Sequence, residues 1–424
     1  AARLGGARPA TRLPPAALVR AAAWAGAPAT AVLGMRYALA RGRGKEAVPV
    51  GTALLGSVLG LAALCGTAVF GASLAVLIAT PALYGAPFST QFSYQDNGNS
   101  TTLTTGLLPS LRRDPAISQI TVTTLVELTV NRHQVRALAV NAVRGRPLLS
   151  VVDGRPPHGA GQIMLGAATM RATGAPTGGR VAVTAPGPGA RPGGNASFLV
   201  TGRASFSPGF STGGLGTGAV LTFSGLARAQ CGPPPGRPGC VSRARSGTIY
   251  SVLVRPAAGP AGAAALARFT QRYHSFVEPR QKPTDLTDFG ESVNFPLLFS
   301  SLLSLFAAAT MVHLLLVSVT RRRTEAGLLK VLGFLRRQVA AVVGWQATTI
   351  ALAGIAAGVP LGIAAGKAAW RLFATSIGVV PVAVVPAWTL VLLAAAVLAA
   401  ANVLAVLPAL IAARSRPAQL LRAD

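Results

Sequence analysis

Residues Gly51–Ala79 read GTALLGSVLGLAALCGTAVFGASLAVLIA, without one charged side chain. A helix needs ~20 such residues to cross a hydrocarbon core of ~30 Å. Three further apolar runs follow at Asn294–Thr320, Ala340–Gly366 and Ala387–Ile411. Four such runs in one chain exclude an ordinary soluble protein. The 424 residues are 51% hydrophobic and only 12% charged, with a mean hydropathy of +0.51. Such values favour a membrane protein, and the run lengths strengthen the case. Residues 81–290, between the first two runs, are polar and rich in Gly and Pro. The expected fold is an α-helical integral membrane protein with four transmembrane helices in a 1+3 arrangement. A large α+β extracytoplasmic domain sits between the first and second spans.

The formal charge is +28, from 39 Lys+Arg against 11 Asp+Glu. Nucleic-acid binding is excluded as a class because the charge is dispersed: no basic helix, zinc signature or aromatic-interleaved patch gathers it. The charge instead orients the chain. Arg36, Arg41, Arg43 and Lys45 precede run one, and Arg321–Arg323, Lys330, Arg336 and Arg337 lie between runs two and three. Arg414, Arg416 and Arg422 follow run four. If all four runs span, these clusters share one side, which the positive-inside bias makes cytoplasmic. The short loop expected between runs three and four carries Lys367 and Arg371. Both termini of this chain are then cytoplasmic, and residues 81–290 are outside.

Run one carries Gly51, Gly56, Gly60, Gly66 and Gly71, and run three carries Gly344, Gly354, Gly358 and Gly362. Such small faces suit close helix contact. Pro360 is expected to kink run three. His313 in run two and Asn402 in run four are candidate intramembrane polar residues, each read as a helix-to-helix or interfacial bond or as part of a substrate path.

Strands are expected at 117–130, 136–143, 180–184, 197–202, 219–223 and 248–254, where β-branched residues and alternation dominate. A helix is expected at 261–273, and turns at 173–179 and 186–194. Residues 1–35 read as a cytoplasmic linker or leader, or as an amphipathic segment on the membrane surface. Cys231 and Cys240 flank a Pro/Gly loop and form a candidate disulfide if that loop is extracytoplasmic; Cys65 is a packing residue. No metal site is expected. No HExxH, nucleophile elbow or Walker-type loop appears, so this chain is not expected to be an enzyme. A membrane-anchored enzyme is the least favoured class for the same reason.

The most specific sequence is RRRTEAGLLKVLGFLRRQ, residues 321–338. Leu328, Leu329 and Leu332 share one helical face, and Glu325 stands one turn before Leu329. Gly333 is placed to end that short helix, and Arg336, Arg337 and Gln338 begin the helix of run three. A short amphipathic helix on the inner membrane face offers apolar knobs and charges to a partner; the alternative is an interfacial helix that only anchors two spans.

This stretch resembles the motif after the second span in the FtsX/MacB-like ABC permease family: a basic run, Glu, a Leu-rich turn, Leu-Gly, then a basic pair with Gln. The 1+3 layout is similar too, as is the ending Pro417-Ala-Gln-Leu-Leu-Arg422. The resemblance covers the membrane parts, 36–80 and 291–424. In the outer domain it is topological only.

The resemblance implies a permease subunit in a bacterial plasma membrane, worked by a cytoplasmic ABC ATPase dimer that binds ATP and Mg; no cofactor is expected in this chain. Arg322, Arg323, Glu325, Leu328, Leu329, Lys330, Leu332, Gly333, Arg336, Arg337 and Gln338 would form the coupling helix that meets the ATPase. A second FtsX-like unit is implied, either an identical copy or a missing N-terminal half. Mechanotransmission would move the outer domain, with lipid, lipoprotein, peptide or drug as substrate and run two as the lever. The alternative is a non-transport regulator of a cell-wall hydrolase, or a ligand sensor, driven by the same ATPase. An extracytoplasmic adaptor or wall hydrolase is a further candidate partner.

Overall fold

The computed structural model describes residues 24, 26–39, 50–93, 102–186, 196–211, 213–232, 251–281, 283, 298, 301–302, 305–306, 309, 312 and 335–414. These residues fall into two compact units. The first draws on Ala1–Ala72, Asn294–Lys367 and Val385–Asp424, and the second on Ser73–Val293 and Ala368–Val384.

The first unit is helical. Helix α1 spans Ala29–Leu39, α2 Val50–Ala79, and α7 and α8 span Arg336–Ile377 and Ala387–Arg414. Three of these, α2, α7 and α8, are long and apolar enough to cross a membrane. Of the second run, only residues 298, 301–302, 305–306, 309 and 312 are described, all helical. Residues 29–35, read above as leader, make up most of α1. There Gly34 lies so near α7 that a Cβ would stand 2.5 Å from the Trp345 Cβ.

Helix α7 outruns its apolar stretch. Hydropathy falls at Lys367, yet the helix continues to Ile377, so Lys367 and Arg371 sit in helix rather than in the expected loop. The residues KAAWRLFATSI include Ala, Leu, Arg and Lys, which favour helix whether or not they favour lipid. Helix α7 also runs on through Pro360. Its 42 residues extend over ~63 Å at the usual rise.

The second unit is an α+β domain. Its strands are β1 Thr90–Ser93, β2 Ile117–Val130, β3 His133–Arg144, β4 Ser150–Gly154, β5 Gln162–Leu165, β6 Arg180–Thr184, β7 Ala196–Ser205, β8 Ala219–Thr222, β9 Ser251–Pro256 and β10 Val277–Glu278. Its helices are α3 Leu108–Arg113, preceded by a π-helical turn at Thr102–Leu107, then α4 Ala167–Thr173, α5 Phe223–Cys231 and α6 Pro260–Arg272. Of the strands expected from sequence, β2 and β6 have the expected bounds and β3 and β7 are longer. Strand β8 gives way to helix at Phe223, where Thr222 caps α5 by accepting from the Gly225 N–H. Short strands β1, β4 and β5 had no alternating run long enough to declare them.

Strand β2 serves two sheets. Its C-terminal end pairs with β6, which pairs with β7, then β5, β8, β3 and back to β2. That ring of six strands has no free edge on its path, which removes the usual edge-pairing hazard. Leu128, Val130, Ala137, Ile163, Phe198 and Val200 fill its interior with small Ala139, Ala196 and Ala219, the mixture of sizes a narrow barrel needs. The N-terminal half of β2 pairs with β9, extending to β1 and β10. Leu103, Leu107, Leu111 and Ala265 cover Phe92, Ile120, Val122 and Val254 of this second sheet. On its opposite face, the Gln91 amide nitrogen lies within hydrogen-bond distance of Ser93, Ser251 and Glu278, and the two serine hydroxyls bond each other, so the buried Gln91, Ser93 and Ser251 are satisfied.

The β2–β3 hairpin turns on Asn131 and Arg132, both at positive φ (44° and 72°). Asn131 is suited to this: its side chain accepts from the Ala182 N–H and donates to the Thr173 carbonyl. Arg132 has no such compensation among its described bonds. Arg132→Gly is expected to raise the stability of the domain by ~1 kcal/mol, the typical left-handed penalty, measured as an upward shift in thermal melting.

Candidate functional site: the helix seam, the start of α7 and its clasp

In the first unit, Gly354, Gly358, Gly362 and Gly366 recur every fourth residue and put one bare stripe on α7. That stripe meets α2. A Cβ at Gly358 would lie 3.0 Å from the Val58 carbonyl oxygen, and at Gly362 2.6 Å from both the Ala62 oxygen and the Cys65 Cβ. At Gly366 it would lie 2.7 Å from the Gly66 oxygen. The two backbones touch there, the geometry that small residues permit between membrane helices. Gly71 and Gly344, by contrast, would meet no described atom within 4 Å. Leu61, Cys65 and Leu390, with Ile355, Val359 and Ile363, complete an apolar core shared by α2, α7 and α8.

Further along the α7–α8 contact, Ala347 and Ala351 pack on Ala401 and Ala405. Asn402 joins the two helices: its side-chain oxygen accepts from the Thr348 hydroxyl at 3.0 Å, and its amide donates to the Leu398 carbonyl at 2.9 Å.

At the start of α7, the Gln338 side-chain oxygen accepts from the Leu335 N–H at 2.9 Å, and the Gln338 N–H donates back to the Leu335 carbonyl at 2.9 Å. This reciprocal pair caps the helix in the manner of a capping box. Arg336 and Arg337 are exposed in the first turn, which holds no acid. The positive end of the helix dipole disfavours cations there, so these two guanidiniums gain from an anionic neighbour outside the helix. His313, Arg322, Arg323, Glu325, Leu328, Leu329, Lys330, Leu332 and Gly333 lie outside the described residues. Cys231 is disulfide-bonded and Cys65 is a free, buried thiol. Cys240 lies outside the described residues.

The last turns of α7 and the loop after it belong to the second unit. Gly378 ends the helix at φ +82°, and the Gly378 and Val379 N–H groups both donate to the Ala374 carbonyl at 3.0 Å, a common glycine helix stop. At that point the backbone touches the turn before β8: a Cβ on Gly378 would stand 2.6 Å from the Gly216 Cα. Arg171, on α4, donates to the Ser376 carbonyl at 3.0 Å. The Val380 N–H donates to the Leu83 carbonyl at 3.2 Å, and the Val384 N–H to the Ser73 hydroxyl at 2.9 Å. Trp370, Ala374 and Val379 are fully buried. The segment 368–384 is therefore clasped at four points. Tyr84 lies beside this segment's Leu83 contact; burial pushes its phenol up, and the nearby Arg280 charge partly opposes that.

Sequence reading did not find this clasp. Only Gly378 carried a local signal, as a glycine just past a helix-forming stretch. Arg171, Gly216 and Ser73 are far apart in the chain, and nothing local marks them.

Among the described residues no three His, Cys, Asp or Glu side chains converge to hold a metal. Residues 297–417 match the family model of the FtsX-like permease C-terminal domain. The match takes in the start of α7, the glycine stripe, the clasped loop and Asn402. It supports the FtsX-like permease family, and with it a permease of an ABC-type system in the general sense. With the apolar helices, it also supports membrane localisation. No curated protein matches the chain.

Proposed function

We propose that this chain is the non-hydrolysing, membrane-spanning subunit of an FtsX/MacB-like ABC system. It crosses a bacterial plasma membrane four times, with both termini cytoplasmic and residues 81–290 outside. The observation that carries this reading is the stretch RRRTEAGLLKVLGFLRRQ, which lies inside the matched domain and runs directly into α7. Residues 321–338 meet a cytoplasmic ATPase dimer, which supplies ATP and Mg; this chain holds no cofactor and performs no hydrolysis. A second permease unit completes the assembly.

The mechanism is mechanotransmission. Run two links the outer domain to the coupling stretch through the chain. Helix α7 is a second lever, since one unbroken helix begins at Arg336 and ends in the clasp at Ile377. A lever of this kind needs stiffness and two discrete arrangements at its ends. Movement of the outer domain then extracts or releases a lipid, lipoprotein, peptide or drug.

Co-purification with the ATPase encoded beside this chain tests the reading. Glu325→Lys with Leu329→Asp is expected to weaken the complex at least about tenfold, equivalent to ~1.4 kcal/mol, and to abolish stimulation of ATP hydrolysis. Unchanged complex formation and stimulation would remove the assignment of 321–338 as the coupling helix.

A further inference from the structure

A cleft of about 500 Å³ opens beside the clasp, and all of its lining belongs to the second unit. Asp153 and Arg203 stand on paired strands β4 and β7, Met170 and Arg171 on α4, and Leu372 and Thr375 on the last turns of α7. Arg203 lies 3.5 Å from Asp153, and both side chains keep substantial exposure, at 33% and 58%. Arg171 has one described hydrogen bond, to the Ser376 carbonyl. A guanidinium has five N–H donors, so both arginines keep donors to offer. Two guanidiniums face one carboxylate, which leaves the cleft with net positive charge.

Residues 338–366 carry no charge, and the charge returns at Lys367 and Arg371. A hydrocarbon core of ~30 Å consumes ~20 helical residues, and Lys and Arg at the end of a span seek the headgroup layer. Leu372 follows immediately and is 73% exposed. The cleft brings two guanidiniums and the apolar side chains of Met170 and Leu372 together. Guanidinium matches phosphate in geometry and charge, while the apolar pair suits the upper part of an acyl chain.

We propose that this cleft binds the phosphate headgroup of an anionic amphiphile, a lipid or a molecule carrying a lipid anchor. The inference deepens the permease reading by naming a substrate class, and it rests on that reading only for the role of the bound molecule as substrate.

Binding is measured on the full chain in neutral detergent, without ATPase. The probes are acyl-labelled phosphatidylglycerol, phosphatidylcholine and glycerol phosphate. Phosphatidylglycerol is expected to bind about tenfold more tightly than phosphatidylcholine, a difference of one decade in Kd. Arg203→Gln should weaken phosphatidylglycerol binding roughly threefold or more, and Asp153→Asn should tighten it by a similar factor, because an exposed charge contributes modestly. Those opposite signs separate binding from structure: an ion pair needed only for folding would make both variants worse. Equal binding of the two lipids, or weakening by Asp153→Asn, would overturn the site. Competition by glycerol phosphate at lipid-like concentrations would overturn the amphiphile and leave a soluble anion. The coupling experiment with Glu325 and Leu329 changes other residues and reads complex formation and ATP hydrolysis, so either idea can fail alone.

Discussion

Gly362→Leu is expected to break the seam between α2 and α7. Even the first added carbon would stand 2.6 Å from the Ala62 carbonyl oxygen and from the Cys65 Cβ. The former is backbone, and it cannot swing aside as a long side chain would. Overpacking of a fitted core costs ~1–3 kcal/mol. The seam has no spare space on either neighbouring turn, since Gly358 and Gly366 would also meet α2 atoms at 3.0 Å and 2.7 Å. Separation of the helices should therefore outcompete local adjustment. The buried thiol of Cys65 reports the outcome directly. Its alkylation by a membrane-permeant maleimide should accelerate at least about tenfold, the change that ~1.4 kcal/mol of lost packing produces. Gly344→Leu is the control, since no described atom lies within 4 Å of its Cβ position. Unchanged alkylation in Gly362→Leu would show that the glycine stripe is dispensable.

The second large effect is expected at Gly378→Val. Valine there is penalised twice. Its backbone would have to hold φ at +82°, which costs a residue with a Cβ ~1–2 kcal/mol. Its Cβ would also press to 2.6 Å of the Gly216 Cα and 3.3 Å of the Ala167 Cβ, adding ~1–3 kcal/mol of overpacking. The tie between α7 and the α4 turn should open, and the Gly378 stop should fray. Hydrogen exchange at the residue 378 and Val379 amides, both bonded to the Ala374 carbonyl, should quicken by about two decades or more, as ~3 kcal/mol implies. Gly174→Ala separates the two terms, since Gly174 is left-handed at φ +64° and no described atom lies within 4 Å of its Cβ position. Its effect should stay near the dihedral cost alone. Full protection of these amides in Gly378→Val would refute the clasp, and with it the role of α7 as a lever.

Both experiments probe features whose residues were visible in the sequence to different degrees. The glycines of α2 and α7 could be read as small faces because helical periodicity is local. Which of them pack could not be read: Gly71 and Gly344 have the same chemistry as Gly66 and Gly362, yet only the latter meet the other helix. The long strands of the sheet domain declared themselves by β-branched alternation over β2, β3 and β7. Strands β4 and β5 did not, because SVVDG and QIML carry no β-branched alternation, whereas the equally short RVAVT of β6 does.

The sequence by itself determined the class of molecule. Run length is a property of consecutive residues, and ~20 apolar residues in a row have few alternatives to a membrane helix. It also carried the stretch RRRTEAGLLKVLGFLRRQ at 321–338 in full, because a motif of consecutive residues is local to the chain. Only the tertiary structure decided that β2 closes a six-stranded ring while still supporting a second sheet. It alone showed that α7 passes its last charged residues and ends in a clasp built from Ser73, Leu83, Arg171 and Gly216. The reason is physical: those contacts join residues far apart in the chain, and they depend on backbone approach and single hydrogen bonds, which leave no periodic trace in the sequence.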